Sequence, residues 1–169
     1  MSEYPNMFRP LPVHPDHPCI ACGHANPHGL QMEFCTDETC LVSRLEVPEH
    51  MCGWFGMAHG GTVSTILDEV MGNAALYLLE RIVMTVSFQA EFLKPVYIGR
   101  PIQAESHLQE RIDDRKATMI STIFDDEGDL CAEAKGTFSL FTAEAARRLQ
   151  MDERMVIDFE RFLRACGKL

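Results

Sequence analysis

Residues 59–78 run His59-Gly60-Gly61-Thr62-Val63-Ser64-Thr65-Ile66-Leu67-Asp68-Glu69-Val70-Met71-Gly72-Asn73-Ala74-Ala75-Leu76-Tyr77-Leu78, and the chain arranges itself around them. Val63, Ile66, Leu67, Val70, Ala74 and Leu78 recur at helical spacing and draw an apolar stripe. Met71, Gly72, Ala75 and Leu76 leave the remaining circumference small or aliphatic, so the segment predicts one long buried helix. Asp68 stands in its middle, where an unpaired carboxylate is costly and rare. Two readings stay open: an acid satisfied by a neighbouring hydroxyl or backbone group, or a catalytic carboxylate facing a cleft. Gly60 and Gly61 favour the second. They let a ligand approach the helix start closely, and the free N–H groups there point at negative charge.

On the C-terminal side the pattern changes from helical to alternating. Residues 83–93, 102–112, 117–124 and 130–141 predict strands, joined by turn signals at Lys94-Pro95, Ile98-Gly99, Asp113-Asp114 and Asp125-Asp126-Glu127-Gly128. Four consecutive strands with short links predict an antiparallel meander. On the N-terminal side, residues 30–36 and 40–47 flank an Asp37-Glu38 turn and predict a hairpin. Residues 48–58 predict a loop carrying Trp54, the only tryptophan. Hairpin, buried helix and meander make an α+β domain, an antiparallel sheet wrapped around one long helix. Residues 143–166 return to helical period through Ala146, Leu149, Val156, Phe159, Phe162 and Leu163, and predict one or two appended helices. The expected organisation is an extended arm over 1–29, the α+β domain over 30–141 and a helical extension over 142–169.

Prolines at 5, 10, 12, 15 and 18 keep residues 1–18 out of helix and strand interiors. Cys19-Ile20-Ala21-Cys22-Gly23 follows. A zinc site here would need Cys35 and Cys40, or His24 and His28, to complete four ligands. Cys35 and Cys40 flank the hairpin turn and no second Cys-x-x-Cys exists, so a thiol loop without metal is the expectation and zinc the minority reading. A redox Cys-x-x-Cys needs a thioredoxin-type strand and helix, which the prolines forbid.

The chain has 169 residues, 46% hydrophobic and 24% charged, values of one ordinary globular domain. Its formal net charge of -10 argues against nucleic-acid and anionic-membrane partners, though a local basic patch could still hold one phosphorylated ligand. No apolar run reaches transmembrane length and the N-terminus lacks a signal-peptide pattern. Seven cysteines, an odd count partly inside predicted core segments, are read as reduced thiols of a cytoplasmic protein.

Gly56-x-x-His59-Gly60-Gly61 with Asp68 nine residues after His59, then Phe92-Leu93-Lys94-Pro95 and Gly99, resembles the hotdog-fold acyl-CoA thioesterases of the PaaI-like group. Cys19-x-x-Cys22-Gly23 followed by Asn26-Pro27-x-Gly29-Leu30 resembles a bacterial subset of that group. The likeness covers roughly residues 19–141. It implies a hotdog fold and hydrolysis of an acyl-CoA or aryl-CoA thioester to free acid and CoA. Asp68 then acts as general base on water or as nucleophile. Gly60 and Gly61 supply an oxyanion hole at the helix start, a donor of the kind worth ~3 kcal/mol. His59 orients the loop or contacts the thioester sulfur, with a purely structural helix-start hydrogen bond as its alternative. Thr85 positions the water, or is simply a strand threonine. Where relatives carry an amide side chain just before the glycine matching Gly53, this chain has Cys52, with His50 two residues earlier. This chemistry calls for no cofactor and no metal.

Asp68 follows Gly60 by eight residues, which along one helix is ~12 Å. The two cannot touch one thioester from the same chain. A shared site therefore combines Gly60 of one subunit with Asp68 of another, which implies a homodimer, with further pairing to a homotetramer common in such folds. Met57, Met71, Leu76, Met84 and Phe88 are candidates to line the acyl pocket, and Lys94, Arg100, Arg115 and Lys116 to meet the CoA phosphates. Two other classes compete: a hotdog protein that binds acyl-CoA without cleaving it, as sensor or carrier, and a hydratase or dehydratase, whose motifs are absent.

Overall fold

The computed structural model describes residues 8–13 and 15–169; the parts of the predicted arm at residues 1–7 and 14 lie outside the described residues. The predicted helix forms as α1 (Gly60–Leu79). It ends at Glu80, whose left-handed φ of 54° terminates the helix without a glycine. α1 packs against one face of a seven-stranded antiparallel sheet. The strands are β1 (Arg9–Pro10), β2 (Cys35–Thr36), β3 (Cys40–Glu46), β6 (Ile82–Phe92), β7 (Pro101–Arg111), β8 (Lys116–Phe124) and β9 (Leu130–Phe141). A small separate hairpin pairs β4 (Cys52–Trp54) with β5 (Met57–Ala58). This is the α+β hotdog arrangement that the resemblance implied.

The sheet accepts a helix because its floor is low. Reading across the register, Leu41, Ser106, Ser121, Ala134 and Ala90 stand side by side. The next row is Ser43, Ala104, Ile123 and Ala132. Positions two apart on a strand share a face, and Gly136 shows which face this is. A Cβ on Gly136 would lie 3.1 Å from Sδ of Met71 on α1 and 2.9 Å from a Phe138 ring carbon. Helix side chains therefore drop into space that larger strand residues would fill. Ile66, Leu67, Val70, Met71, Ala74 and Ala75 are fully buried there, each large one contributing ~2 kcal/mol of apolar burial. The hydroxyls of Ser43, Ser106 and Ser121 are buried with no hydrogen-bond partner among the described residues. What serine, alanine and glycine share on this floor is small volume. The opposite face carries Gln103, Glu105, Glu133 and Lys135 together with Val42, Ile120 and Phe124, and is mixed in polarity.

Three expectations need correction. The four long strands are present within a residue or so of their predicted ends, but they are not one meander. The order is β1-β2-β3-β7-β8-β9-β6, so β6 pairs with β9 and lies at the far edge from β3. The link over 93–100 crosses the sheet end: Lys94 N–H donates to Cys131 O, Ala58 N–H to Val96 O and Gly99 N–H to Val47 O. Alternation specifies which face a residue takes and leaves the pairing partner open. Second, the arm is not wholly outside the sheet. Arg9–Pro10 pairs with β2, as the edge position of a proline permits. Third, residues 48–58 are not plain loop. They hold a 3-10 turn at Glu49–Met51 and the β4–β5 hairpin, turned by Gly56 at φ +77°.

The C-terminal extension forms two helices, α2 (Ala143–Arg148) and α3 (Glu153–Ala165). Thr142 Oγ1 caps the first by accepting from Ala145 N–H, and Asp152 Oδ1 caps the second from Arg154 N–H. Val156, Phe159, Phe162 and Leu163 bury one face of α3, whereas Leu149 remains exposed. Phe162 meets the ring of Tyr77 edge to face at 6.5 Å. Tyr77 is itself buried, its hydroxyl donating to Glu38 at 2.8 Å and contacting the Arg9 guanidinium. Lys168 lies 4.3 Å above the Tyr77 ring. Arm, hairpin turn, helix and C-terminus thus meet at one phenol. Burial, then the adjacent Glu38, weakens it as an acid and pushes its pKa up to about 12.

Enlarging Gly136 tests the helix-on-sheet fit. Gly136→Val should destabilise the fold by ~1–3 kcal/mol in urea titration. Adding Met71→Ala should return part of that loss, because the two side chains claim the same space.

Candidate active site

α1 begins on a histidine. His59 takes the N-cap position with extended backbone, and its Nδ1 accepts a hydrogen bond from Gly61 N–H at 2.9 Å. Its own N–H donates to Met51 O at 3.0 Å. The ring folds back because two neighbours lack side chains. A Cβ on Gly61 would stand 3.0 Å from Nδ1, and one on Gly53 3.0 Å from His59 Cα. Gly60 is different, since a Cβ there would meet nothing within 4 Å. The structural hydrogen bond left open for His59 is therefore present. Of the two amides read as oxyanion donors, that of Gly61 is already taken by His59. The exposed Gly60 N–H has no acceptor among the described residues.

Asp68 is not sealed inside the fold. α1 keeps Thr65, Asp68, Glu69, Gly72, Asn73 and Leu76 half-buried along the stripe turned away from the sheet. Asp68 Oδ1 accepts from Thr85 Oγ1 on β6 at 2.9 Å. Both look into a cavity of about 700 Å³, ample for a small-molecule group. Gly72, Leu76, Val83 and Phe138 give it an apolar lining, α3 adds Met155, Phe159 and Phe162, and the arm adds His17, Pro18, Cys19 and Cys22. The neighbouring hydroxyl and the cleft were alternative readings of Asp68. The structure supplies both.

The other predicted residues lie elsewhere. His59, Gly60 and Gly61 do not line the cavity, in keeping with the helix spacing. Met84 and Phe88 are exposed along β6, and Met71 is core. Lys94 is paired with Asp129 at 2.5 Å. Arg100 is paired with Asp126 at 2.6 Å and Glu127 at 3.1 Å. The acidic turn before β9 thus holds both cations proposed for substrate, and the single chain does not bring them to Asp68. Sequence reasoning missed the α3 residues as cavity walls. Helical period in 143–166 showed an apolar face but not what that face covers.

It also missed a cluster beside Asp68. His17, Cys19 and Cys22 bring their ligand atoms within 4.8 Å of one another. Glu69, next to Asp68 in sequence, has both carboxylate oxygens 3.9 Å from Cys19 Sγ. Burial, then the Cys19 sulfur, pushes the Glu69 carboxyl up to about 7. Donation from the Cys22 thiol, with help from the Cys22 and Ala21 N–H groups, brings Cys19 down to about 5 and leaves Cys22 raised. The tetrads considered from sequence do not assemble. Cys35 lies in β2, Cys40 opens β3, His24 faces Glu33 at 3.6 Å, and His28 meets His50 edge to face at 6.3 Å.

Residues 55–132 match the family model described as the thioesterase superfamily. The acyl-coenzyme A thioesterase THEM4 of Mus musculus is 33% identical over 102 residues, 60% of this chain and 43% of that protein. The Rattus norvegicus protein of the same name is 34% identical over 90 residues, 53% of this chain and 38% of that one. This chain therefore spans less than half the length of these curated relatives. Among solved structures, the Escherichia coli PaaI protein of the phenylacetic acid degradation operon superposes with a TM-score of 0.61 at 17% identity, over 67% of this chain and 81% of that one. A hypothetical thioesterase from Streptococcus pneumoniae, solved with coenzyme A, gives 0.57 at 20% identity, over 60% and 81%. Among the described residues no helix is long and apolar enough to cross a membrane. Sheet order and buried helix are those of a hotdog fold, and residues 55–132 within it are similar to the thioesterase superfamily.

Proposed function

We propose that the protein hydrolyses an acyl-CoA or aryl-CoA thioester, releasing the free acid and CoA. The observation that carries this reading is Asp68, oriented by the Thr85 hydroxyl at 2.9 Å and facing a cavity of about 700 Å³. Thr85 occupies one carboxylate oxygen and fixes the side chain. The other oxygen is left to take a proton from water or to attack the carbonyl itself. The Gly60 N–H stabilises the oxyanion that forms, acting as a fixed dipole at a helix start. His59 is a positioning residue that holds Gly61 and the helix entry in place. The names of the mouse and rat relatives and the CoA-bound streptococcal structure support the substrate class. Seven free thiols suit a reducing compartment, and the cytoplasm is the proposed location.

Gly60 and Asp68 belong to one site only if two copies associate. β6 supports such pairing. It has β9 on one side and, among the described residues, no strand on the other, and Met84, Val86 and Phe88 are 44%, 55% and 38% exposed along it. An open edge with apolar side chains is a surface that proteins ordinarily cover. We place a second copy there, carrying its helix start toward Asp68, in a dimer or a pair of dimers.

Purified protein should release free thiol from at least one member of a panel of short, long and aromatic acyl-CoAs. Asp68→Asn should lower kcat by at least ~100-fold with the circular dichroism spectrum intact. Near-normal turnover in a folded Asp68→Asn protein would refute the role of the carboxylate. Saturable acyl-CoA binding without thiol release would mark a sensor or carrier instead, and loss of the enoyl chromophore a hydratase.

Subunit mixing tests the shared site. Asp68→Asn and His59→Ala chains, each inactive, are allowed to exchange. If His59 and Gly60 of one chain serve Asp68 of the other, half of the dimers are mixed and half of their sites are intact. Activity should then recover to roughly a quarter of wild type. No recovery, with exchange demonstrated, means that each site lies within one chain. Should His59→Ala keep activity, a bulky replacement at Gly60 is the substitute lesion.

A further inference from the structure

Cys19-Ile20-Ala21-Cys22-Gly23 folds into a tight turn against the middle of α1. Ala21 N–H donates to Cys19 Sγ at 3.3 Å, and Gly23 N–H returns to Cys19 O at 3.1 Å. Only glycine fits at 23, because a Cβ there would lie 2.3 Å from both Cys19 N and His17 O. The turn points two sulfurs and the imidazole of His17 at one spot, all three ligand atoms within 4.8 Å of one another. From below, α1 offers Glu69, both oxygens 3.9 Å from Cys19 Sγ, with the Cys22 thiol also in hydrogen-bond contact. Asn73 Nδ2 donates to Glu69 Oε1 at 2.9 Å and holds the carboxylate toward the thiols. Among the described residues, the partners of this half-buried acid are an amide and two sulfurs, not an arginine or lysine.

A tetrahedral zinc ion has Zn–S near ~2.3 Å and Zn–N or Zn–O near ~2.0–2.1 Å, so its ligand atoms stand ~3.3–3.8 Å apart. The observed separations need only a small inward movement to reach that geometry. Two thiolates, an imidazole and a carboxylate are a donor set for zinc and a poor one for magnesium or calcium. N–H groups directed at a cysteine sulfur stabilise its thiolate, and Asn73 plays the outer-shell role that fixes a ligating carboxylate. We propose that His17, Cys19, Cys22 and Glu69 bind one structural zinc ion, which pins the N-terminal segment onto α1 beside Asp68. Four protein ligands close the coordination sphere, so the ion is a clamp and does not activate water. The clamp holds in place the stretch of arm that walls the cavity. This assignment replaces the expectation of a metal-free loop and is independent of the hydrolytic reading.

Cobalt is the probe. The full chain, untagged, metal-stripped and with thiols reduced under anaerobic conditions, is titrated with Co²⁺. Expected are near-ultraviolet thiolate-to-cobalt charge-transfer bands and visible bands of tetrahedral cobalt, saturating at about one ion per chain and bleached by zinc. Cys19→Ser with Cys22→Ser should abolish them. Glu69→Gln should keep the thiolate bands but weaken cobalt binding by at least ~10-fold. Elemental analysis of protein from zinc-supplemented cells should find about one zinc per chain, and chelation should lower Tm. Absence of cobalt uptake by reduced wild-type protein overturns the proposal, as does survival of the bands in the double serine variant. A Cys19–Cys22 disulfide whose reduction gives no metal uptake also overturns it. If the double variant fails to fold, the wild-type titration and Glu69→Gln decide.

Discussion

The close seating of α1 on the sheet is the constraint from which the rest follows. A helix can lie this near a strand floor only where the floor is made of small residues, and here Ala90, Ala104, Ser106, Ser121, Ala134 and Gly136 supply it. Once Leu67, Val70, Met71 and Ala74 are committed to that face, helical geometry dictates what points the other way. Asp68, Glu69, Gly72, Asn73 and Leu76 fall on the opposite stripe. The placement of Asp68 and Glu69 is therefore a by-product of packing: the stripe that cannot face the sheet carries both carboxylates.

That stripe is useful because other parts of the chain enclose it without burying it. β6 brings the Thr85 hydroxyl to Asp68, α3 covers the far end with Phe159 and Phe162, and the arm lays His17, Cys19 and Cys22 along the side. Of these, only β6 lies within the segment matched by the superfamily, residues 55–132. The shared hotdog core thus supplies the helix, the acid and the hydroxyl. Much of the wall is supplied by segments outside the match, so the shape of the cavity is set largely by residues beyond 55–132.

The helix start shows the same economy. His59 caps the helix, and Gly53 and Gly61 exist in part to let its ring fold back. This uses the Gly61 amide and leaves Gly60 open to solvent on a surface without packing neighbours. Along the acidic turn, Asp126, Glu127 and Asp129 hold Arg100 and Lys94. Such exposed pairs are weak and exchange readily.

Period alone determined a great deal. The helical spacing of Val63, Ile66, Leu67, Val70 and Ala74 and the alternation of four strands settle fold class and element positions, because both patterns are local consequences of which face is buried. The paired glycines and Asp68 were legible for the same reason: a charged side chain in an apolar helix conflicts with its surroundings and stands out. What the sequence could not carry was partnership. Alternation does not say that β6 joins β9 and not β7, nor that Arg9–Pro10 extends the sheet. It does not say that Glu69, on helix α1, stands under two cysteines some fifty residues earlier. Those contacts are long-range, set by how elements close over one another once the core has formed, and only the tertiary structure decides them.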